Sequence, residues 1–209
     1  MPRQPEPSTA VYALLGLLAT RSHTGYELTH QARTSLRLLW PTSEANLYRD
    51  QQRLVRLGWA QVSTEPAGQR TRKRYHITDA GQTALRTWLA GVPAAPSLDV
   101  EAFVRIWLAD QGTVDDLASA LARTAASARA VISATAGLAE RYLRDEGEFP
   151  ERAHLNSLAG DLLTATLATL ADGCERLAGD VEAWDNTLDP DPDTRERLAR
   201  IVERARNNP

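Results

Sequence analysis

Four side chains between positions 46 and 56 carry the clearest chemical signal in the chain. Asn46, Arg49, Arg53 and Arg56 recur at steps of three, four and three, so a helix would stack them along one face. Arg and Asn form paired hydrogen bonds to guanine and adenine edges in the DNA major groove. Tyr48 and Gln52 border this stripe, and Ser43 stands just ahead of it. Any solvated helix can also carry arginines outward, so the stripe alone leaves two readings open. A second signal follows: Arg70, Arg72, Lys73 and Arg74 place four cations in five residues. On a hairpin, such a run suits the phosphate backbone or the minor groove, and it makes binding strongly salt-dependent.

Other chemistry finds little support. His23, His30, His76 and His154 are scattered without metal-ligand spacing. Cys174 is the single cysteine, so no intrachain disulfide forms; on an apolar stripe it reads as a buried structural thiol, with a redox sensor as the alternative. There is no glycine loop for phosphates, and the prolines between Asp189 and Asp193 do not suit a calcium loop. The expectation is a protein without cofactor, metal or catalytic centre. No apolar run approaches the roughly 18 residues that would suggest a membrane span. Met1 to Pro7, with three prolines, reads as a short arm rather than a signal peptide. The expected compartment is the cytoplasm.

The net charge of −3 conceals an asymmetry. Residues 1–92 hold 12 basic and 6 acidic side chains; residues 93–209 hold 12 and 21. A basic N-terminal unit thus precedes an acidic C-terminal one, the arrangement expected when only the first meets a polyanion. Chance asymmetry between two surfaces is the bland alternative.

The elements that must position these residues follow from periodicity and capping. Ser8 precedes Val11, Leu14, Leu15 and Leu18 at helical spacing, which predicts a first helix ending near Arg21. Thr24 and Glu27 form a capping-box pair for a second helix, lined by Leu28, Ala32 and Leu36. Pro41 stops the segment, and Thr42 or Ser43 caps a third helix running to Leu57, with Gly58 behind it. Leu47, Gln51, Leu54 and Gly58 make its inner stripe. Ala60 to Thr64 alternates as a strand, Pro66-Ala67-Gly68 turns, the basic run forms the tip, and Tyr75-His76-Ile77 returns. Thr78 and Asp79 then open a fourth helix with Leu85, Trp88 and Leu89. The order predicts a winged helix-turn-helix with a two-stranded wing over residues 8–92.

The segment resembles the PadR family of bacterial transcriptional regulators. The matching stretches are Leu14 to Leu18, Thr24 to Leu28, Trp40-Pro41, Asn46 to Arg49, Arg53-Leu54 with Leu57-Gly58, and Tyr75 through Ile77-Thr78 to Ala80-Gly81. The resemblance covers roughly residues 9 to 92. It implies that Tyr48 and its neighbours on the third helix face DNA while the basic wing grips the backbone. One position departs from the family: Gln51 stands where an apolar residue is usual. A buried amide without a partner destabilises by about 1–3 kcal/mol, so either Gln51 finds a partner or the helix is rotated slightly.

Val92 to Ser97 reads as a linker, and residues 98–209 as an all-helical unit. Val100, Phe103, Val104, Trp107 and Leu108 mark a short helix. A long one from about Val114 to Glu146 carries Leu117, Leu121, Thr124, Ala128, Val131, Thr135, Leu138 and Tyr142 at alternating steps of four and three. Leu163, Leu167, Leu170, Cys174, Leu177, Val181 and Trp184 repeat the pattern in another, and Leu198, Ile201 and Val202 mark a last helix. Such stripes need partners, which predicts a homodimer through these helices; an intramolecular bundle is the alternative. The looser likeness to larger PadR-like regulators implies the same. Two-fold symmetry would present two recognition helices to a pseudo-palindromic operator.

The expected function is therefore a dimeric DNA-binding regulator, most simply a repressor of double-stranded DNA targets. A winged helix used for protein contacts without DNA is the alternative. Trp88, Phe103 and Trp107 flank the linker in sequence, and Trp40 is taken with them. They suggest an apolar effector pocket, against the plainer reading of core packing.

Overall fold

The computed structural model describes residues 6–36, 42–67, 70–189 and 191–207. Its contacts divide the chain into two compact units, Met1–Pro96 and Ser97–Pro209.

The first unit is built on α1 (Thr9–Thr20), β1 (His23–Thr24), α2 (Gly25–Gln31), α3 (Glu44–Arg56), β2 (Ala60–Ala67), β3 (Arg70–Ile77) and α4 (Asp79–Ala90). Local caps set its helix starts. The Thr24 hydroxyl accepts from the Glu27 amide while the Glu27 carboxylate accepts from the Thr24 amide, completing the expected capping box. Ser43, not Thr42, caps α3 by accepting from the Asn46 amide. Thr78 caps α4 through the Gly81 amide. Ser8 occupies the cap position of α1 without a side-chain cap bond. Gly58 adopts φ 70°, the left-handed conformation that ends α3. Val11, Leu14, Leu15, Leu18, Leu28, Leu47 and Leu54 form one buried core, at about 1.5–3 kcal/mol for each large apolar side chain.

The two wing strands β2 and β3 pair as expected, and β1 adds a third strand to their sheet, in the order β1-β3-β2 and antiparallel throughout. β1 contributes only His23 opposite Tyr75 and Thr24 opposite Arg74. The wing strands are also longer than expected. β2 pairs with β3 from Ala60 opposite Ile77 to Ala67 opposite Arg70. The basic run therefore lies within a strand instead of forming the tip, and the pleat sends its side chains alternately to opposite faces.

The second unit contains α5 (Glu101–Trp107), α6 (Val114–Leu143), α7 (Ala153–Glu182) and α8 (Thr194–Asn207). α6 and α7 pack as an antiparallel pair around Leu117, Leu121, Ala125, Ala128, Ala171, Cys174, Ala178 and Val181. Much of this seam is alanine, which lets the backbones approach closely. Arg129 bridges the pair through Asp172 at 2.6 Å and Glu175 at 3.0 Å. Burial pushes the Cys174 thiol above its ordinary pKa, with Glu175 adding to the effect, as suits a structural rather than a reactive thiol. Arg197 fastens α8 through Asp191 and Asp180, and its guanidinium lies 5.8 Å from the Trp184 ring centre. Among the described residues, no helix is long and apolar enough to cross a membrane, and no histidine, cysteine and carboxylate group is arranged to hold a metal.

Candidate nucleic-acid interface

α3 has the two faces its sequence implies. Leu47, Gln51 and Leu54 are buried, while Ser43, Tyr48, Arg49 and Gln52 are exposed and Asn46 and Arg53 half-buried. Asn46 accepts a hydrogen bond from the Arg49 guanidinium, which steadies that pair on the outer face. Burial raises the Asp50 carboxyl above its ordinary pKa, and Arg53 and Arg49 pull it partly back.

Gln51 resolves the departure noted in the sequence. It is 1% exposed, and its amide nitrogen donates to the Gly25 carbonyl at 3.2 Å and the Thr29 hydroxyl at 2.8 Å. Thr29 in turn donates to the Gly25 carbonyl at 2.9 Å. A polar triangle therefore joins α2 to α3 inside the core. A Cβ at Gly25 would stand 3.1 Å from the Gln51 Oε1, so the glycine makes room for the amide. No helix rotation is needed to accommodate Gln51, and the outward face of α3 is held in register by bonds as well as packing.

The wing divides its cations. Arg72 and Lys73 are exposed. The backbone of Arg70 lies in β3 opposite Ala67. Arg74 differs from its expected place among cations offered to a polyanion. Its guanidinium bonds Glu65 at 2.8 Å, Glu27 at 3.3 Å and the Ser22 carbonyl at 3.2 Å. The physical reason is register: Arg74 sits opposite both Thr24 and Ser63, between the two other strands. It fastens the wing to α2.

His23 lies beside this junction. It is buried, and its Nε2 has no hydrogen-bond partner among the described residues. Burial lowers its pKa from 6.5, aided by Arg21 and Arg74 and opposed by Glu27 and the Leu17 carbonyl. A histidine depressed by folding stabilises the fold fully above the unfolded value and loses that contribution as pH falls below it. The thermal midpoint of the first unit is therefore expected to drop between about pH 7 and pH 5, and His23→Phe to flatten the drop. Leu17 keeps the Thr20 hydroxyl at 2.7 Å in that variant. Glu27, whose carboxylate is stabilised chiefly by the Thr24 amide, loses its contribution only below its own ordinary value of 4.5. Calorimetry on both proteins across this range checks the assignment, and parallel pH curves would refute it.

The aromatic residues are divided between the two units. Trp40 lies outside the described residues. Trp88 stacks on Tyr12, with ring centres 4.8 Å apart, and Tyr12 in turn packs at 5.5 Å against Trp59. Together with Asp79, Thr83 and Thr87 they line an open pocket of about 620 Å³ within the first unit. Phe103 and Trp107 belong to the second unit and are exposed. Sequence reasoning missed Tyr12 and Trp59 as companions of Trp88; their only signal is aromatic character.

The first unit is a winged helix, with an arginine-bearing third helix facing out beside a cationic hairpin. Residues 14–87 match the transcriptional regulator PadR-like family, and the chain carries a PadR-like family domain. It is 30% identical over 79 residues to the negative transcriptional regulator PadR of Bacillus subtilis (strain 168). That alignment covers 37% of this chain and 43% of the relative, so less than half of the relative's length is matched. Among solved structures, B. subtilis PadR in complex with operator DNA superposes with a TM-score of 0.67 at 18% identity. The match covers 83% of this chain and 99% of that one. The structure of B. subtilis PadR with p-coumaric acid gives 0.65 at 19% identity, covering 84% and 99%. At these identities the superpositions establish the fold, across both the winged helix and the long helices that follow.

Proposed function

We propose that this chain is a homodimeric transcriptional repressor. In this reading α3 enters the major groove, with Asn46, Tyr48, Arg49, Gln52 and Arg53 toward base edges and Ser43 at its rim. Arg70, Arg72 and Lys73 on the wing reach the adjoining backbone. The observation that carries the reading is the exposed amide-and-guanidinium face of a helix whose opposite face is bonded and packed into the core. Repression rests on the 30% identity to a negative regulator.

Dimerisation is supported by apolar side chains left in solvent on the second unit. Among them are Phe103, Val104, Ile106 and Trp107 on α5, Leu155, Leu158 and Leu162 on α7, and Leu198, Ile201 and Val202 on α8. So many exposed large apolar groups on one helical unit call for a partner. A planar effector that releases DNA is part of the reading, because an aromatic-lined pocket flanks Trp88 and a structural neighbour was solved with p-coumaric acid.

The test is fluorescence anisotropy with duplex DNA from directly upstream of the chain's own gene, beside a scrambled duplex, at several salt concentrations. Tighter binding to the upstream duplex, weakening steeply with salt, is the expected result. Equal and weak binding to both would favour a winged helix used for protein contacts.

A further inference from the structure

The buried Gln51 does more than satisfy its own amide. Its nitrogen spends both hydrogens on α2, one on the Gly25 carbonyl at 3.2 Å and one on the Thr29 hydroxyl at 2.8 Å. These acceptors stand four residues apart, about one turn along α2, so the amide meets that helix at two heights. Leu47 and Leu54 flank Gln51 on the inner face of α3 and are buried too, but apolar packing is non-directional. The amide adds direction, and so fixes the angle of α3 about its own axis.

That angle is felt at the outer face. A helix with its side chains is about 10–12 Å across, so a turn of about 10° carries the outer face roughly 1 Å sideways. Hydrogen bonds to base edges hold only within about 2.7–3.2 Å, so such a slip removes them while leaving the cations near the phosphates. The anchor also reaches the wing. Gly25 follows Thr24, whose amide donates to the Glu27 carboxylate at 2.7 Å, and the same carboxylate oxygen accepts from Arg74 of β3 at 3.3 Å. Gln51 on one side and Arg74 on the other thus bond α3 and the wing to the first turn of α2.

We propose that Gln51 is a positioning residue for sequence recognition: its bonds to Gly25 and Thr29 set the rotation of α3 and thereby which base edges Asn46, Arg49 and Arg53 meet. The assignment rests on the DNA-binding reading. Stability depends on the amide far less. Without it the Thr29 hydroxyl still donates to the Gly25 carbonyl at 2.9 Å, so an apolar side chain of similar length leaves no orphaned donor on α2. Stability and specificity therefore part company at this position.

The experiment measures Gln51→Met, Thr29→Val and the double variant against the upstream and scrambled duplexes across a salt series, with a thermal melt of each protein. Gln51→Met is expected to melt close to wild type. It should keep its affinity for the scrambled duplex and its salt slope, because no cation is lost. Its preference for the upstream duplex should fall about tenfold, the effect of one paired base contact out of place. Thr29→Val should lose preference in the same direction, and the double variant no more than Gln51→Met, because the bond is shared. A purely structural amide behaves otherwise: the melting temperature falls and both duplexes weaken by the same factor. That result, or an unchanged preference in a folded Gln51→Met, overturns the proposal and leaves the DNA reading standing. Should Gln51→Met not fold, Thr29→Val decides alone, and an unchanged preference there overturns it. A wild-type chain that binds neither duplex overturns both readings.

Discussion

Gly81→Ala is expected to destabilise the first unit by about 3 kcal/mol, near the upper end of overpacking effects. A Cβ at this position would sit 2.2 Å from the Trp59 carbonyl oxygen and 3.0 Å from Ile77 Cγ1. The nearer atom is backbone, so no rotamer change relieves the contact. The same carbonyl accepts from the Thr78 amide at 3.0 Å, and Thr78 also donates its hydroxyl to the Gly58 carbonyl at 2.6 Å. Pushing Trp59 aside therefore disturbs the joint where α3, β2 and α4 meet. For a unit of this size the thermal midpoint should fall by roughly 10–20 °C. Gly16→Ala is the control: it lies within α1 of the same unit, and its Cβ meets nothing within 4 Å. It should be neutral or stabilising by up to about 1 kcal/mol through helix propensity. Thermal melts of the three proteins separate the cases; equal midpoints for Gly81→Ala and wild type would remove the close-approach argument.

Arg49→Ala with Arg53→Ala carries the largest expected effect on binding. Each paired contact to a base edge contributes about 1–3 kcal/mol of discrimination, so the double variant should lose roughly 100-fold or more on the upstream duplex. Loss of two cations should also lower the salt slope on either duplex. The fold is expected to persist, because α3 keeps Leu47, Gln51 and Leu54 inside and its Ser43 cap. Gln51 carries much of this expectation. Its bonds to Gly25 and Thr29 stop α3 from turning about its axis when the outer arginines are removed. A double variant that melts like wild type yet loses upstream binding ties the loss to the outer face. Undiminished affinity would exclude these two side chains as readers of sequence.

Much of the first unit is legible in the order of its residues. The Thr24–Glu27 capping box, the Thr78 cap and the Gly58 stop depend on residues within four positions of one another, so spacing alone specifies them. The two faces of α3 follow likewise from helical period. The long stripes of α6 and α7 are readable for the same reason, although the alanines that fill much of their seam give no apolar signal.

What tertiary structure decided depends on partners far apart in the chain. β1 has two residues, too few to show alternation, and exists only through its pairing with β3. That pairing extends the wing's role into the core and turns Arg74 inward to Glu65 and Glu27 rather than outward as its run of cations suggests. Gln51 finds its partners 22 and 26 residues away, and Gly81 faces a carbonyl across the joint from Trp59. Composition and period set which residues could carry charge to a surface; register between strands and the fit of one helix on another determined which of them remain there.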